Sequence, residues 1–185
     1  MPIPHTIRTI VLTGFMGAGK STIGPALALE LGWEFVDADA VIESRAGKPI
    51  AQIFAEQGEA AFRALEAEVI REQAAKQNLV LALGGGALET ESTRALLQTH
   101  PTTLIVFLDA PLELLVTRCL EQPGAAERPV LADREQLLRR FQARLPHYRD
   151  AHLTVLTAGL SPDEVVAMIA DAVSGAIQGS RRHKG

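Results

Sequence analysis

Nine residues near the start of the chain, "GFMGAGKST" from Gly14 to Thr22, carry the densest chemistry in the sequence. Gly14, four residues on Gly19, then Lys20 and Ser21 satisfy the phosphate-loop pattern G-x-x-x-x-G-K-[ST] in full. Glycines at these positions allow backbone N–H groups to turn inward around phosphate oxygens, and a helix beginning at the loop adds the positive end of its dipole. The loop is therefore expected to hold a nucleoside triphosphate through Gly17, Ala18, Gly19, Lys20, Ser21 and Thr22. Lys20 would reach the β- and γ-phosphates and the Ser21 hydroxyl would hold Mg²⁺. The same cradle serves kinases, switches and motors, so an acceptor has to be sought elsewhere.

Three further groups of residues have suitable types. In "FVDADAVIE", Asp37 and Asp39 close the second apolar run; on an extended backbone they would point the same way. Two carboxylates facing a phosphate loop repel the nucleotide unless one helps hold Mg²⁺ and the other bonds a hydroxyl. Asp37 is assigned the metal side, through water, and Asp39 the hydroxyl. Without the loop, this D-x-D would read as turn and cap chemistry. In "LALGGGAL", Gly84, Gly85 and Gly86 follow a third apolar run, where a doubly wound sheet opens its binding crevice. Their backbone could touch a ligand directly. Arg63, Arg128 and Arg144 complete the set. An arginine beside a transferring phosphoryl group stabilises charge, and one beyond it can clamp a carboxylate. The loop position of Arg128 favours the first role.

These residues need a frame, and the apolar pattern supplies one. Short apolar runs at Thr9–Thr13, Glu34–Asp37, Leu79–Leu83, Thr103–Leu108 and Leu153–Thr157 are each followed by helical periodicity. The pattern predicts an α/β fold with a five-stranded parallel sheet covered on both faces. Phe62, Leu65 and Val69 mark one face of a long helix between Glu59 and Gln77, and Arg63 stands three residues before Glu66, close enough to meet it. Ser161-Pro162-Asp163-Glu164 combines a capping box with proline at the first helical position. Two segments fall outside the alternation: helical material from about Ala38 to Glu66, and "QPGAAERPVLAD" from Gln122 to Asp133, with the composition of a mobile loop. Both could close over a site.

The 185 residues, 47% hydrophobic and 22% charged, suit one globular domain, taken as residues 1–178 followed by a flexible charged tail, 179–185. A formal net charge of −4 and 4% aromatic residues leave no basic field or stacking surface for nucleic acid. The single cysteine, Cys119, cannot form an intrachain disulfide and reads as a small buried apolar residue. No apolar stretch suggests a signal peptide or a membrane span, so the expectation is a cytoplasmic protein with no membrane partner.

Taken together, "GFMGAGKSTIG", "FVDADAVIE" with "GKPIAQIF", "GEAAFRALE", "LALGGGAL", "RPVL" and "RLPHYRDAH" resemble shikimate kinase, a small-metabolite branch of the P-loop kinases, over nearly the whole chain. The resemblance implies a three-layer P-loop kinase fold with strand order 2-3-1-4-5, a helical substrate-binding insertion and a mobile lid at about residues 122–133. It implies ATP as co-substrate, Mg²⁺, shikimate as acceptor and a monomer. Asp39 then falls on shikimate hydroxyls, Arg63 and Arg144 on its carboxylate, and Gly85 with the substrate, beside Gly84 and Gly86 of the triplet read above. Lys20, Asp39 and Arg128 are implied to be catalytic, with Arg128 arriving on the lid. Arg118 falls where the family stacks a guanidinium on adenine, and Pro162 near the adenine-ribose end. Pro25 departs from the family's usual arginine, and inside the first helix it removes a donor and predicts a kink. The rival readings are another small-metabolite kinase such as a gluconate kinase, and a nucleotide-dependent switch without an acceptor.

Overall fold

The computed structural model describes residues 2–4, 6–121 and 133–182, with side chains of the last helix through Gly175. The five strands are β1 (Thr9–Thr13), β2 (Glu34–Asp37), β3 (Leu79–Ala82), β4 (Thr103–Asp109) and β5 (Leu153–Leu156). All pair in parallel in the order β2-β3-β1-β4-β5, with Val11 of β1 between Leu81 of β3 and Ile105 of β4. The expected strand order is thus the observed one. Strands β1, β3 and nearly all of β4 are buried along their length. This burial explains why they read as continuous apolar runs rather than as alternating ones.

Seven α-helices connect the strands among the described residues: α1 (Lys20–Leu31), α2 (Ala38–Ala46), α3 (Ile50–Ala74), α4 (Glu91–Thr99), α5 (Leu112–Leu120), α6 (Arg134–Arg149) and α7 (Pro162–Arg182). The result is a three-layer α/β fold. Helices α1 and α7 pack on each other, and Ile23 and Leu27 of α1 join Ile169 and Val173 of α7 in the main core. Helix α7 continues to Arg182, through the first residues of the stretch expected as a tail. Its start is the predicted capping box: Ser161 N donates to Glu164 Oε2 at 2.7 Å, and Glu164 N donates to Ser161 Oγ at 3.3 Å.

The expected kink at Pro25 is not where the chain bends. Helix α1 runs through Pro25 as one element. Pro25 and Ser21, four residues earlier, are both on the exposed side, where water can serve the carbonyl that lost its donor. The break lies instead in α3, at Gly58, whose φ of 79° and ψ of 175° belong to a region open essentially to glycine alone. Residues Ile42, Ile53, Phe62 and Val69 form a second, smaller apolar cluster between α2 and α3. The inserted region predicted from Ala38 onward therefore has its own packing, which fixes the helix that carries Arg63. The segment from Gln122 to Ala132, with Arg128 and most of the expected lid, lies outside the described residues. Among the described residues, no helix is long and apolar enough to cross a membrane.

Candidate active site

The phosphate loop joins β1 to α1, as its flanks predicted. Gly17 has φ 75°, and a Cβ there would stand 2.4 Å from the Leu115 carbonyl oxygen. Both the backbone angle and the space exclude a side chain. The Lys20 ammonium donates to the carbonyls of Gly14 at 2.7 Å and Phe15 at 3.1 Å, folded against the loop that precedes it. Desolvation lowers its pKa to about 8, against the pull of Asp39 and Asp37, which favour the charged form.

Two cavities meet at this loop. The first, about 370 Å³, is walled by Gly17, Ala18, Gly19, Thr22 and Ile23 on one side and by Arg118, Thr157, Leu160, Pro162 and Val165 on the other. Arg118 is held there by donation to Thr157, from Nη1 to Oγ1 and from Nη2 to the backbone oxygen, each at 3.1 Å. The second cavity, about 390 Å³, shares Gly17–Gly19 and Thr22 and adds Lys20, Ser21, Asp37, Asp39, Gly84, Gly85 and Arg144. One cavity thus extends the loop toward α7, and the other extends it toward the crevice at the C-terminal ends of β2 and β3.

The two aspartates reach the second cavity by a route different from the expected one. The chain turns helical at Ala38, so Asp39 sits in the first turn of α2 and the extended-strand geometry assumed for the pair does not hold. Asp37 is the N-cap of α2, its Oδ1 accepting from the N–H of Asp39 at 2.9 Å and of Ala40 at 3.4 Å. Cap chemistry and a place beside the phosphate loop are combined in one residue, since the carboxylate has a second oxygen. The Asp39 carboxyl is pushed above its ordinary range, first by burial and then by Asp37, with Lys20 opposing.

Each glycine of the triplet makes room for a different neighbour. A Cβ on Gly84 would fall 2.6 Å from Asp39 Oδ1, and one on Gly86 would fall 2.6 Å from Arg63 Nη2. On Gly85 it would meet Arg144 Nη1 and the Tyr148 hydroxyl at ordinary contact distance, 3.6 and 3.7 Å. The Tyr148 hydroxyl donates to the Gly85 carbonyl, and the ring stacks on Phe107 with centroids 5.2 Å apart. That contact fixes α6, and with it Arg144, against the turn.

Arg144 lines the second cavity, whereas Arg63 stands behind Gly86 and is not part of its wall. Arg63 Nη1 pairs with Glu66, buried to 2% exposure, at 2.7 Å, so the pair expected from their spacing forms. Burial pushes the Glu66 carboxyl up, against the pull of Arg63. The two arginines meet through Glu89, whose Oε2 lies 2.9 Å from Arg144 Nη2 and 3.4 Å from Arg63 Nη2. Glu89, Tyr148 and Thr157 are contributions that residue types did not reveal. Tyr148 lay in "RLPHYRDAH" and Thr157 closed the fifth apolar run, whereas Glu89 lay in no stretch singled out. Among the described residues, no group of three or more His, Cys, Asp or Glu side chains could hold a metal ion by itself. The oxygen donors Ser21 and Asp37 beside a phosphate loop suit Mg²⁺, which keeps several waters and takes few protein ligands.

Comparison with known proteins supplies what geometry leaves open. The sequence model of the shikimate kinase family matches residues 16–174. The chain is 44% identical over 176 residues to the shikimate kinase of Geobacter sulfurreducens, covering 94% of each chain. It superimposes on the shikimate kinase of Acinetobacter baumannii in complex with shikimate with a TM-score of 0.82 and 35% identity, covering 92% of this chain and 95% of that one. A gluconokinase from Sinorhizobium meliloti, 20% identical with a TM-score of 0.59 over 100% of this chain and 98% of its own, shares the fold alone. With the match running from the phosphate loop into the last helix, the chain belongs to the shikimate kinase family.

Proposed function

We propose that the chain transfers the γ-phosphoryl group of ATP to the 3-hydroxyl of shikimate, giving shikimate 3-phosphate and ADP, and that its two cavities divide the work. The observation that carries this reading is the wall they share: Gly17–Gly19 and Thr22 border both, with Lys20, Asp39 and Arg144 on the acceptor side. A nucleotide with its base between Arg118 and Pro162 has its phosphates bound by Gly17, Ala18, Gly19, Lys20, Ser21 and Thr22, facing an acceptor across the loop. Ser21 and, through water, Asp37 would hold Mg²⁺. When bound, this ion neutralises charge on the phosphates.

The acceptor is oriented by the chain's own residues. Arg63 and Arg144 hold the carboxylate of shikimate, and Gly84, Gly85 and Gly86 allow the ring close to the backbone. Asp39 accepts the hydrogen bond of the reacting hydroxyl. The hydroxyl oxygen bonds to the γ-phosphorus as the bond from phosphorus to the β–γ bridging oxygen breaks, and the proton passes to Asp39. A carboxyl already pushed above its ordinary range is a better proton acceptor than a solvated one. Arg128, which lies outside the described residues, is assigned the role of stabilising the charge that spreads over the transferring group.

Residues 1–178 are taken as one domain acting as a monomer in the cytoplasm, with small molecules as its partners rather than nucleic acid or membrane. The net charge of −4 supports the absence of a polyanionic partner. The test is ADP release from Mg²⁺-ATP with shikimate, with gluconate and with no acceptor. Release that depends on shikimate is expected; turnover indifferent to shikimate overturns the reading.

A further inference from the structure

The carboxylate of Glu89 stands where the two substrate arginines converge. Its Oε2 takes donors from Arg144 Nε at 3.0 Å and Nη2 at 2.9 Å, the edge of the guanidinium suited to a two-point grip on a carboxylate. The same oxygen lies 3.4 Å from Arg63 Nη2. A substrate carboxylate that takes the Nε–Nη2 edge of Arg144 together with Arg63 meets them at the point Glu89 now holds.

The charges give the same answer. Within the foursome of Arg63, Arg144, Glu66 and Glu89, two positive charges are matched by two negative ones, so neither arginine is left without a carboxylate partner. Glu59, 70% exposed, adds only a solvent-screened contact to Arg63. One carboxylate has to yield, and the two differ in their freedom to do so. Glu66 is buried to 2% and sits on α3 one helical turn from its partner. Glu89, 38% exposed, ends the short helical turn Ala87–Glu89. The backbone of that turn is pinned by Arg94, whose Nη1 donates to the carbonyls of Leu88 at 2.5 Å and Glu89 at 3.0 Å. The side chain can therefore swing away while its turn stays in place.

We propose that Glu89 is an internal competitor for the carboxylate seat: it holds Arg63 and Arg144 in position, and the carboxylate of shikimate displaces it. It thereby sets affinity and selects acceptors whose carboxylate wins this exchange. The proposal rests on the reading that these two arginines grip the substrate's carboxylate.

The test compares Glu89→Gln and Glu89→Asp with the natural chain, by steady-state kinetics and by calorimetric titration with shikimate and with shikimate methyl ester. In both variants the KM and Kd for shikimate fall roughly threefold or more, the scale of one partly exposed charge pair. The KM for ATP and the Kd for the uncharged ester stay as they were. A rise or no change in the Kd for shikimate makes Glu89 a fixed support of Arg144 and overturns the proposal, and an equal gain for the ester overturns it as a general loosening. Arg144→Lys in the natural background separates the two levels. If it weakens shikimate while Glu89→Gln brings no gain, only the competitor fails. If it leaves shikimate binding unchanged, the arginine grip and the competitor both fail.

Discussion

At the scale of single residues, the site depends on side chains brought against backbone that carries no Cβ. Gly84→Ala places a methyl group 2.6 Å from Asp39 Oδ1, so the carboxylate must shift. A displacement near 1 Å in a reacting group costs on the order of a hundredfold in rate, so kcat for shikimate falls by about that factor. The thermal midpoint, measured alongside, should move little, because the clash involves a cavity side chain rather than the core. Lys20 gives a second prediction. Its pKa is lowered to about 8, and phosphates that favour the ammonium raise it. Nucleotide binding therefore takes up protons between about pH 8 and the ordinary lysine value of 10.5, and affinity falls as pH rises through that window. Titration calorimetry of ADP in buffers of different ionisation enthalpy reads the uptake directly. An uptake of zero near pH 9 contradicts the assignment.

At the scale of elements, the acceptor region hangs on the bend in α3. Gly58 has a positive φ and nothing within 4 Å of its would-be Cβ, so Gly58→Ala introduces backbone strain without a clash. Strain of this kind costs about 1–3 kcal/mol, and at this chain length each kcal/mol lowers the thermal midpoint by roughly 2–4 °C. The bend also aims the part of α3 that carries Arg63. The KM for shikimate is therefore expected to rise, with the KM for ATP unchanged; a stability loss with both constants intact would detach the bend from the site. Helix α1 shows the opposite case: Pro25, which breaks a local rule, lies on an exposed face where water can replace the lost donor.

At the scale of the whole molecule, the division between the cavities predicts separable losses. Arg118 borders only the first cavity, proposed for the nucleotide, and Arg144 only the second, proposed for the acceptor. Arg118→Ala is expected to raise the KM for ATP by about tenfold and leave shikimate nearly untouched, on the scale of a lost charged contact to a ligand. Arg144→Lys does the reverse, since an ammonium cannot reproduce a planar fork. Equal effects of both changes on both substrates would show that the cavities do not bind independently.

The sequence by itself determined the strands, their parallel arrangement and the phosphate loop. Their signals are local: apolar runs of strand length, the glycine spacing before Lys20, and the Ser161–Glu164 cap. It also determined the pairing of Arg63 with Glu66, because three residues along a helix bring side chains together. Tertiary structure alone decided how Asp39 enters the cavity, since the turn into α2 overrides the alternation an extended strand would give. It also decided that the helical break falls at Gly58 rather than at Pro25, a choice between two residues that solvent exposure and backbone angle settle. Above all, it decided the place of Glu89. In sequence this is one acidic residue after a glycine turn, 26 residues from Arg63 and 55 from Arg144. Only the packing of α3 and of α6 against that turn, which follows the end of β3, makes it the point where both arginines meet.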